Sequence, residues 1–226
     1  MDQVPFWERA EVVERFAARP PDDRMVALLS SLPRTTRVLD LGCAAGRNTE
    51  WLAREGFDVY ACDASRAMVT YTRNRLRPYL PEAELARRVI RCRMDDLSAF
   101  PDAFFTVVVA LGIYQQAEST EEWHRAVRET ARVLREGGHL LVQHFALGSR
   151  PWKNPLQEVE PFVFETEGPD GEARRLVLLD ETTLNAWMDR HGFSPEVPVR
   201  LATRPTEEGG WWHNLHGHFR KRGTDP

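Results

Sequence analysis

The chain has 226 residues, of which 42% are hydrophobic and 28% charged, so it is long enough for one large α/β domain and has the composition of a globular protein. A net charge of −4 gives no overall field to recruit nucleic acid, and no apolar run is long enough to span a bilayer. Three cysteines, Cys43, Cys62 and Cys92, are too widely spaced for a metal knuckle or a disulfide framework. They read as buried free thiols in a reducing cytoplasm, in a chain without a secretory leader.

In chain order, residues 1–33 carry two helical patterns. Phe6, Trp7, Val12, Val13 and Phe16 recur at helical spacing up to Pro20-Pro21. Asp22 or Asp23 then caps a second helix with Met25, Leu28, Leu29 and Leu32, stopped by Pro33. Val38, Leu39 and Leu41 form a short strand buried on both faces. A glycine turn follows, then a helix from about Gly46 to Glu55 with Gly56 as its C-terminal cap, and a second strand, Asp58 to Asp63. Strand, glycine turn, helix, strand and acid make the nucleotide-binding half of a doubly wound sheet. Gly42 and Gly46 let a ligand approach the backbone, and the helix after them points free N–H groups at it. Asp63 ends its strand where a carboxylate can accept from two ribose hydroxyls, and Asp40 orients the turn.

The turn does not fit the dinucleotide fingerprint G-x-G-x-x-G, because Ala44 and Arg47 stand at its second and third glycines. No Gly-Lys-Ser/Thr follows to make a P-loop. Instead it reads Asp40-Leu41-Gly42-Cys43-Ala44-Ala45-Gly46. This pattern, with Asp63 after the second strand, resembles the class I S-adenosylmethionine-dependent methyltransferases. The resemblance implies a Rossmann-like seven-stranded sheet of order 3-2-1-4-5-7-6, the last strand antiparallel, with helices on both faces. It implies S-adenosylmethionine as cofactor, held by Asp40, Gly42, Cys43, Ala44, Gly46, Asp63 and Ala64.

Ser65 caps the next helix, which carries Met68, Val69, Thr72 and Leu76 and ends before Pro78. The arginines at 73, 75, 77, 87, 88, 91 and 93 read as a solvated face, with no interleaved aromatic residues to suggest a nucleic-acid surface. Val89 to Met94 is the third strand. By the resemblance Met94 and Asp95 neighbour the adenine, with Asp96 the alternative frame. Phe104 to Leu111 is a central buried strand, and the following Leu111 and Gly112 would pass the methionine end of the cofactor. There Tyr114 or Gln115 could face the transferred methyl.

Ser119 and Glu122 form a capping box for a helix with Trp123, Ala126, Val127, Thr130, Ala131 and Leu134 on one face, ended by Gly137. Arg132-Val133-Leu134-Arg135-Glu136-Gly137-Gly138 resembles the family's R-V-L-x-P-G-G segment before a fifth strand, His139 to His144. Residues 147–180 are an excursion, with Phe162-Val163-Phe164 and Leu176-Val177-Leu178 flanking a turn at Gly168-Pro169-Asp170-Gly171. Asp180 caps a last helix, and Val197 to Leu201 and Leu215 to Arg220 close the sheet. His216 and His218 share a strand face without a nearby carboxylate or thiolate, so no metal is assigned.

The expectation is one domain over 1–226, with 1–33 as a helical leader and 147–180 as a lid-like hairpin. It would move a methyl group to a small-molecule acceptor, with Tyr114 and His144 as candidate bases. The aromatic leader and excursion suit a closed pocket for a small acceptor rather than nucleic acid, a membrane or a protein tail. The chain would act as a monomer or homodimer. Rival readings are a non-catalytic S-adenosylmethionine-binding regulatory module, an NAD-dependent oxidoreductase, and a nucleic-acid or protein methyltransferase.

Overall fold

Apolar residues alternate between two faces along the central strands, and each face meets its own helices. In the computed structural model, which describes residues 4–168 and 171–223, seven strands form one sheet of order β3-β2-β1-β4-β5-β10-β9. β1 (Arg37–Leu41), β2 (Asp58–Asp63), β3 (Val89–Arg91), β4 (Phe105–Leu111) and β5 (Leu134–Phe145) pair in parallel. β10 (Trp211–Lys221) runs antiparallel between β5 and β9 (Phe193–Pro205). With the excursion's strands set aside, this is the expected order. Val38, Val59, Val107 and Val109 point to one face and pack with α2 (Asp23–Ser30), α3 (Arg47–Arg54), α4 (Arg66–Leu76) and α5 (Glu82–Arg88). Leu39, Leu41, Tyr60 and Val108 point to the other, against α6 (Thr120–Val133) and α7 (Glu181–Arg190).

Several boundaries moved. α5 was not expected: its Glu82, Glu84, Arg87 and Arg88 pair with one another or with neighbours, and only Leu85 is buried, so it has little apolar periodicity. β3 begins at Val89 as expected but ends at Arg91, not Met94. Gly137 does not end α6. The helix stops at Val133, and β5 begins at Leu134 with residues 135–138 looping out before pairing resumes at His139 opposite Val107. Ser119 caps α6 as expected, but Glu122 reaches back to the Glu118 N–H, not to that of Ser119. Gly56 does end α3, through a six-to-one bond from Phe57 to Leu52 and a five-to-two bond from Gly56 to Ala53.

The excursion forms a second sheet, β6 (Gln157–Glu160), β7 (Val163–Glu167) and β8 (Ala173–Val177). Of its expected turn, Gly171 donates to the Gly168 carbonyl, and Pro169 and Asp170 lie outside the described residues. The arginines at the end of α4 and in the segment beyond it serve structural roles. Arg75 pairs with Glu50, Arg88 with Asp58 and Glu84, Arg73 bonds the Val89 carbonyl and Arg91 that of Ala64. No helix among the described residues is long and apolar enough to cross a membrane.

Candidate functional site

The glycine turn closes β1 onto the end of β2. Gly42 and Cys43 both donate backbone N–H groups to the Cys62 carbonyl, at 2.9 and 3.0 Å. Gly42 (φ +72°) and Gly46 (φ +76°) occupy left-handed backbone, as does Ala44 (φ +48°) between them. A Cβ at Gly42 would lie 2.9 Å from the Ile113 side chain, and one at Gly46 2.8 Å from Thr72. The requirement for glycine is therefore partly the left-handed backbone that the turn was expected to need and partly internal packing, which the sequence did not reveal.

Asp63 is bonded from both sides of the cleft. Its Oδ2 accepts from the Ala44 N–H in the glycine turn and its Oδ1 from the Ser65 N–H at the start of α4, each at 2.9 Å. Burial raises its pKa, against the lowering effect of those N–H groups. Each oxygen keeps a further lone pair, so the carboxylate can still accept from two vicinal hydroxyls. Asp40 is buried and accepts from the Thr49 hydroxyl at 2.6 Å. Burial pushes its pKa up to about 6, with the Thr49 bond opposing. It thus ties the end of β1 to α3. Cys43 is buried beside Thr72, and its thiol is raised by burial, so it serves as packing.

The leader lies on this corner. The Ser65 hydroxyl donates to the Trp7 carbonyl at 2.8 Å, and the Glu8 carboxylate accepts from Arg66 and Ala67 N–H at 2.8 and 2.9 Å. Burial acts to raise the Glu8 pKa, but the bonds from Ala67 and Arg66 prevail and lower it. Val12 and Val13 of α1 (Ala10–Ala17) pack with Ala44, Ala45 and Met68. Glu8 was missed in the sequence, although the first turn of α4, Arg66-Ala67-Met68, has no acid of its own and so leaves a place for one. The leader also meets the excursion. Arg9 pairs with Glu172, and the Arg174 guanidinium lies 4.2 Å from the Phe6 ring centre and 5.8 Å from that of Trp152.

The two candidate bases belong elsewhere. Tyr114 is fully buried in the core, its hydroxyl 2.7 Å from that of Thr130, and burial raises its pKa. His144 is also fully buried. Its Nε2 accepts from Trp123 Nε1–H at 2.9 Å, which leaves Nδ1 to donate to the Phe145 carbonyl at 2.8 Å. Burial lowers its pKa to about 4. Neither ring offers a free proton acceptor to a cleft, so the expectation that either acts as a base gives way to a packing role for both. Asp95 is held by two arginines: Arg93 donates to its Oδ1 at 2.9 Å and Arg125 to its Oδ2 at 3.2 Å. Burial acts to raise the Asp95 pKa, and the two guanidiniums lower it overall. Met94 beside it is buried and packs in the core. Gly112 (φ +85°) donates its N–H to the Gln143 carbonyl, which places Leu111 and Gly112 at the carboxyl edge next to the glycine turn. His218 contacts His139, not His216, and no group of three metal-ligating side chains occurs among the described residues.

The methyltransferase domain family matches residues 39–142. The demethylmenaquinone methyltransferase of Beutenbergia cavernae is 30% identical over 166 residues, covering 74% of this chain and 56% of that protein. The chain spans roughly half the length of the first such relatives. Among solved structures, an S-adenosylmethionine-dependent methyltransferase from Methanosarcina mazei superposes with TM-score 0.70 at 19% identity, covering 88% of this chain and 98% of that one. The Burkholderia thailandensis 1,6-didemethyltoxoflavin N1-methyltransferase, solved with 1,6-didemethyltoxoflavin and S-adenosylhomocysteine, superposes with TM-score 0.59 at 18% identity, covering 95% and 80%.

Proposed function

Residues 39–142 are a methyltransferase domain on the class I Rossmann-like fold, and from that premise we propose that the chain transfers a methyl group from S-adenosylmethionine to a small-molecule acceptor. The observation that carries the proposal is the Asp63 carboxylate, held between the glycine turn and the start of α4 with lone pairs left for a ribose. Asp40, Gly42, Cys43, Ala44 and Gly46 shape the turn, Ala64 follows Asp63, and Leu111 and Gly112 line the methionine side. The adenine would lie towards Met94, and the Asp95 side chain supports that loop through its two arginines. When bound, the cofactor supplies an already activated methyl, so the protein's task is to position the acceptor and exclude water. No proton acceptor is required for an acceptor that is already nucleophilic, in keeping with the buried state of Tyr114 and His144.

Residues 1–226 act in this reading as one domain, with the leader and the excursion as covers. Support for a small acceptor comes from the aromatic side chains of both covers, Phe6, Trp7, Trp152 and Phe164, and from relatives named for quinone and toxoflavin substrates. The burial of both candidate bases also suits a binding module without turnover. Methyl-labelled S-adenosylmethionine, offered with quinols, phenols and heteroaromatic amines and separately with DNA, RNA and bulk protein, distinguishes these readings. Label should appear on a small aromatic acceptor. Label on a macromolecule would overturn the acceptor class, and cofactor binding with no turnover on any acceptor would favour the module.

A further inference from the structure

Unmatched positive charge gathers on the outer side of α3. A groove of about 290 Å³ runs there, between that helix and the end of the leader. Its wall holds four arginines, Arg19, Arg47, Arg54 and Arg75, and one acid, Glu50. Glu50 is committed to Arg75, which also donates to the Ala17 carbonyl at 3.0 Å. Arg54 meets Glu55 at 3.7 Å, an acid that Arg34 shares at 3.3 Å. Arg47 donates to the Pro20 carbonyl, and the Arg19 guanidinium lies 4.3 Å from the Phe16 ring centre. Neither Arg19 nor Arg47 has an ion-pair partner among the described residues. Burial, with the like charges of Arg204, Arg47 and Arg15, pulls the Arg19 pKa down to about 10, and Glu207 opposes this from beyond ion-pair distance. Half-buried guanidiniums gathered together without an anion are costly. The groove is also distinct from the cofactor cleft. α3 turns Arg47, Trp51 and Arg54 towards the groove, while Asn48, Thr49 and Leu52 are buried on its other side, where Thr49 bonds Asp40 and Leu52 packs with the sheet.

We propose that this groove binds a small oxyanion of the phosphate type, free or as the ester of a small molecule, between Arg19 and Arg47 with Arg54 beside them. Guanidinium forks match phosphate oxygens two at a time, which a lone ammonium cannot do. The bound anion bridges the leader to α3 and supplies the negative charge that the chain itself withholds. Trp51, half-buried in the same wall, offers apolar surface to the organic part of an ester. The site needs neither the cofactor nor the acceptor to be occupied.

Pyrophosphate, inorganic phosphate and phenyl phosphate are titrated calorimetrically, in chloride buffer at about 0.15 M ionic strength, into wild type, Arg19→Gln, Arg47→Gln and, as a control at an exposed arginine elsewhere, Arg135→Gln. Wild type and Arg135→Gln should bind pyrophosphate alike, and each groove variant should bind it about tenfold more weakly or worse. Phenyl phosphate bound more tightly than inorganic phosphate identifies an ester as the ligand, and equal affinity identifies the free anion. Melting temperatures separate a binding role from a structural one. Without added anion, Arg19→Gln should be at least as stable as wild type, because a half-buried like charge has gone, and pyrophosphate should raise the wild-type value but not that of the variant. Equal binding by all four proteins, no heat with any of the three anions, or an Arg19→Gln protein less stable than wild type before anion is added would overturn the assignment. So would heat abolished by excess S-adenosylhomocysteine, which would put the anion in the cofactor cleft.

Discussion

The glycine-turn half and the covering half of the molecule are held together by different chemistry. Around β1, α3, β2 and α4 the contacts are made by backbone: Gly42 and Cys43 to the Cys62 carbonyl, Ala44 and Ser65 to Asp63. Where the leader meets the excursion they are made by side chains: Arg9 with Glu172, and Arg174 between Phe6 and Trp152. A backbone-built site demands glycine, a short turn and one acid at fixed spacing, and tolerates little else. A side-chain-built cover can be assembled from many residue choices, which is how one fold accommodates different acceptors.

Substitutions in the first region should therefore have the larger effects. Gly42→Val should do most damage. It places a branched residue at φ +72°, which costs roughly 1–3 kcal/mol, and drives its Cβ into Ile113. Because the turn is packed, a lower melting temperature should accompany the loss of S-adenosylhomocysteine binding. A folded Gly42→Val protein of normal stability and affinity would break the distinction between the halves.

Asp63→Ala should weaken cofactor binding by about 2–4 kcal/mol, roughly thirty- to several-hundred-fold, through loss of charge-assisted bonds to the ribose. It also frees Ala44 and Ser65, so a modest fall in stability should appear in the same protein. Calorimetry within a few-fold of wild type would show Asp63 to be structural only.

Asp40 sharpens the comparison through pH. Its folded pKa, about 6, lies above the unfolded value near 4, so its favourable contribution is complete below about pH 4 and is lost as pH rises through about 6. Asp40→Asn does not titrate there. Between pH 4 and 7 the stability of wild type should fall relative to Asp40→Asn by about 2–3 kcal/mol, read from denaturant unfolding at each pH. Parallel curves would place the Asp40 proton elsewhere.

The smallest effect belongs to the attachment of the cover. Glu8→Ala removes the acid that caps α4, with an expected cost of about 1 kcal/mol. Because α1 packs on Ala44 and Ala45, excision of residues 1–19 should weaken cofactor binding as well as turnover. Turnover loss with intact cofactor affinity would confine the leader to the acceptor side.

The same difference explains what could be read from the sequence. β2 and the caps at Ser65, Ser119 and Asp180 are local patterns, and the structure reproduces them. The sheet order is not local, and it was legible only through the resemblance that the glycine turn carries. The roles of Tyr114 and His144 were not legible, because a tyrosine just past a strand or a histidine near a strand's end reads alike whether it turns into the cleft or into a core with Thr130 and Trp123 waiting for it. The ion pairs of Asp95 were not legible for a similar reason: Arg125, which claims it, is 30 residues away. Glu8 reaches α4 across 58 residues, a separation no local pattern encodes.

The most direct test of the central claim is calorimetric titration of wild-type protein with S-adenosylhomocysteine and, separately, with NAD. The Asp40–Gly46 turn with Asp63 predicts saturable one-to-one binding of S-adenosylhomocysteine and no measurable heat with NAD. Absence of S-adenosylhomocysteine binding, or equal affinity for NAD, would contradict it.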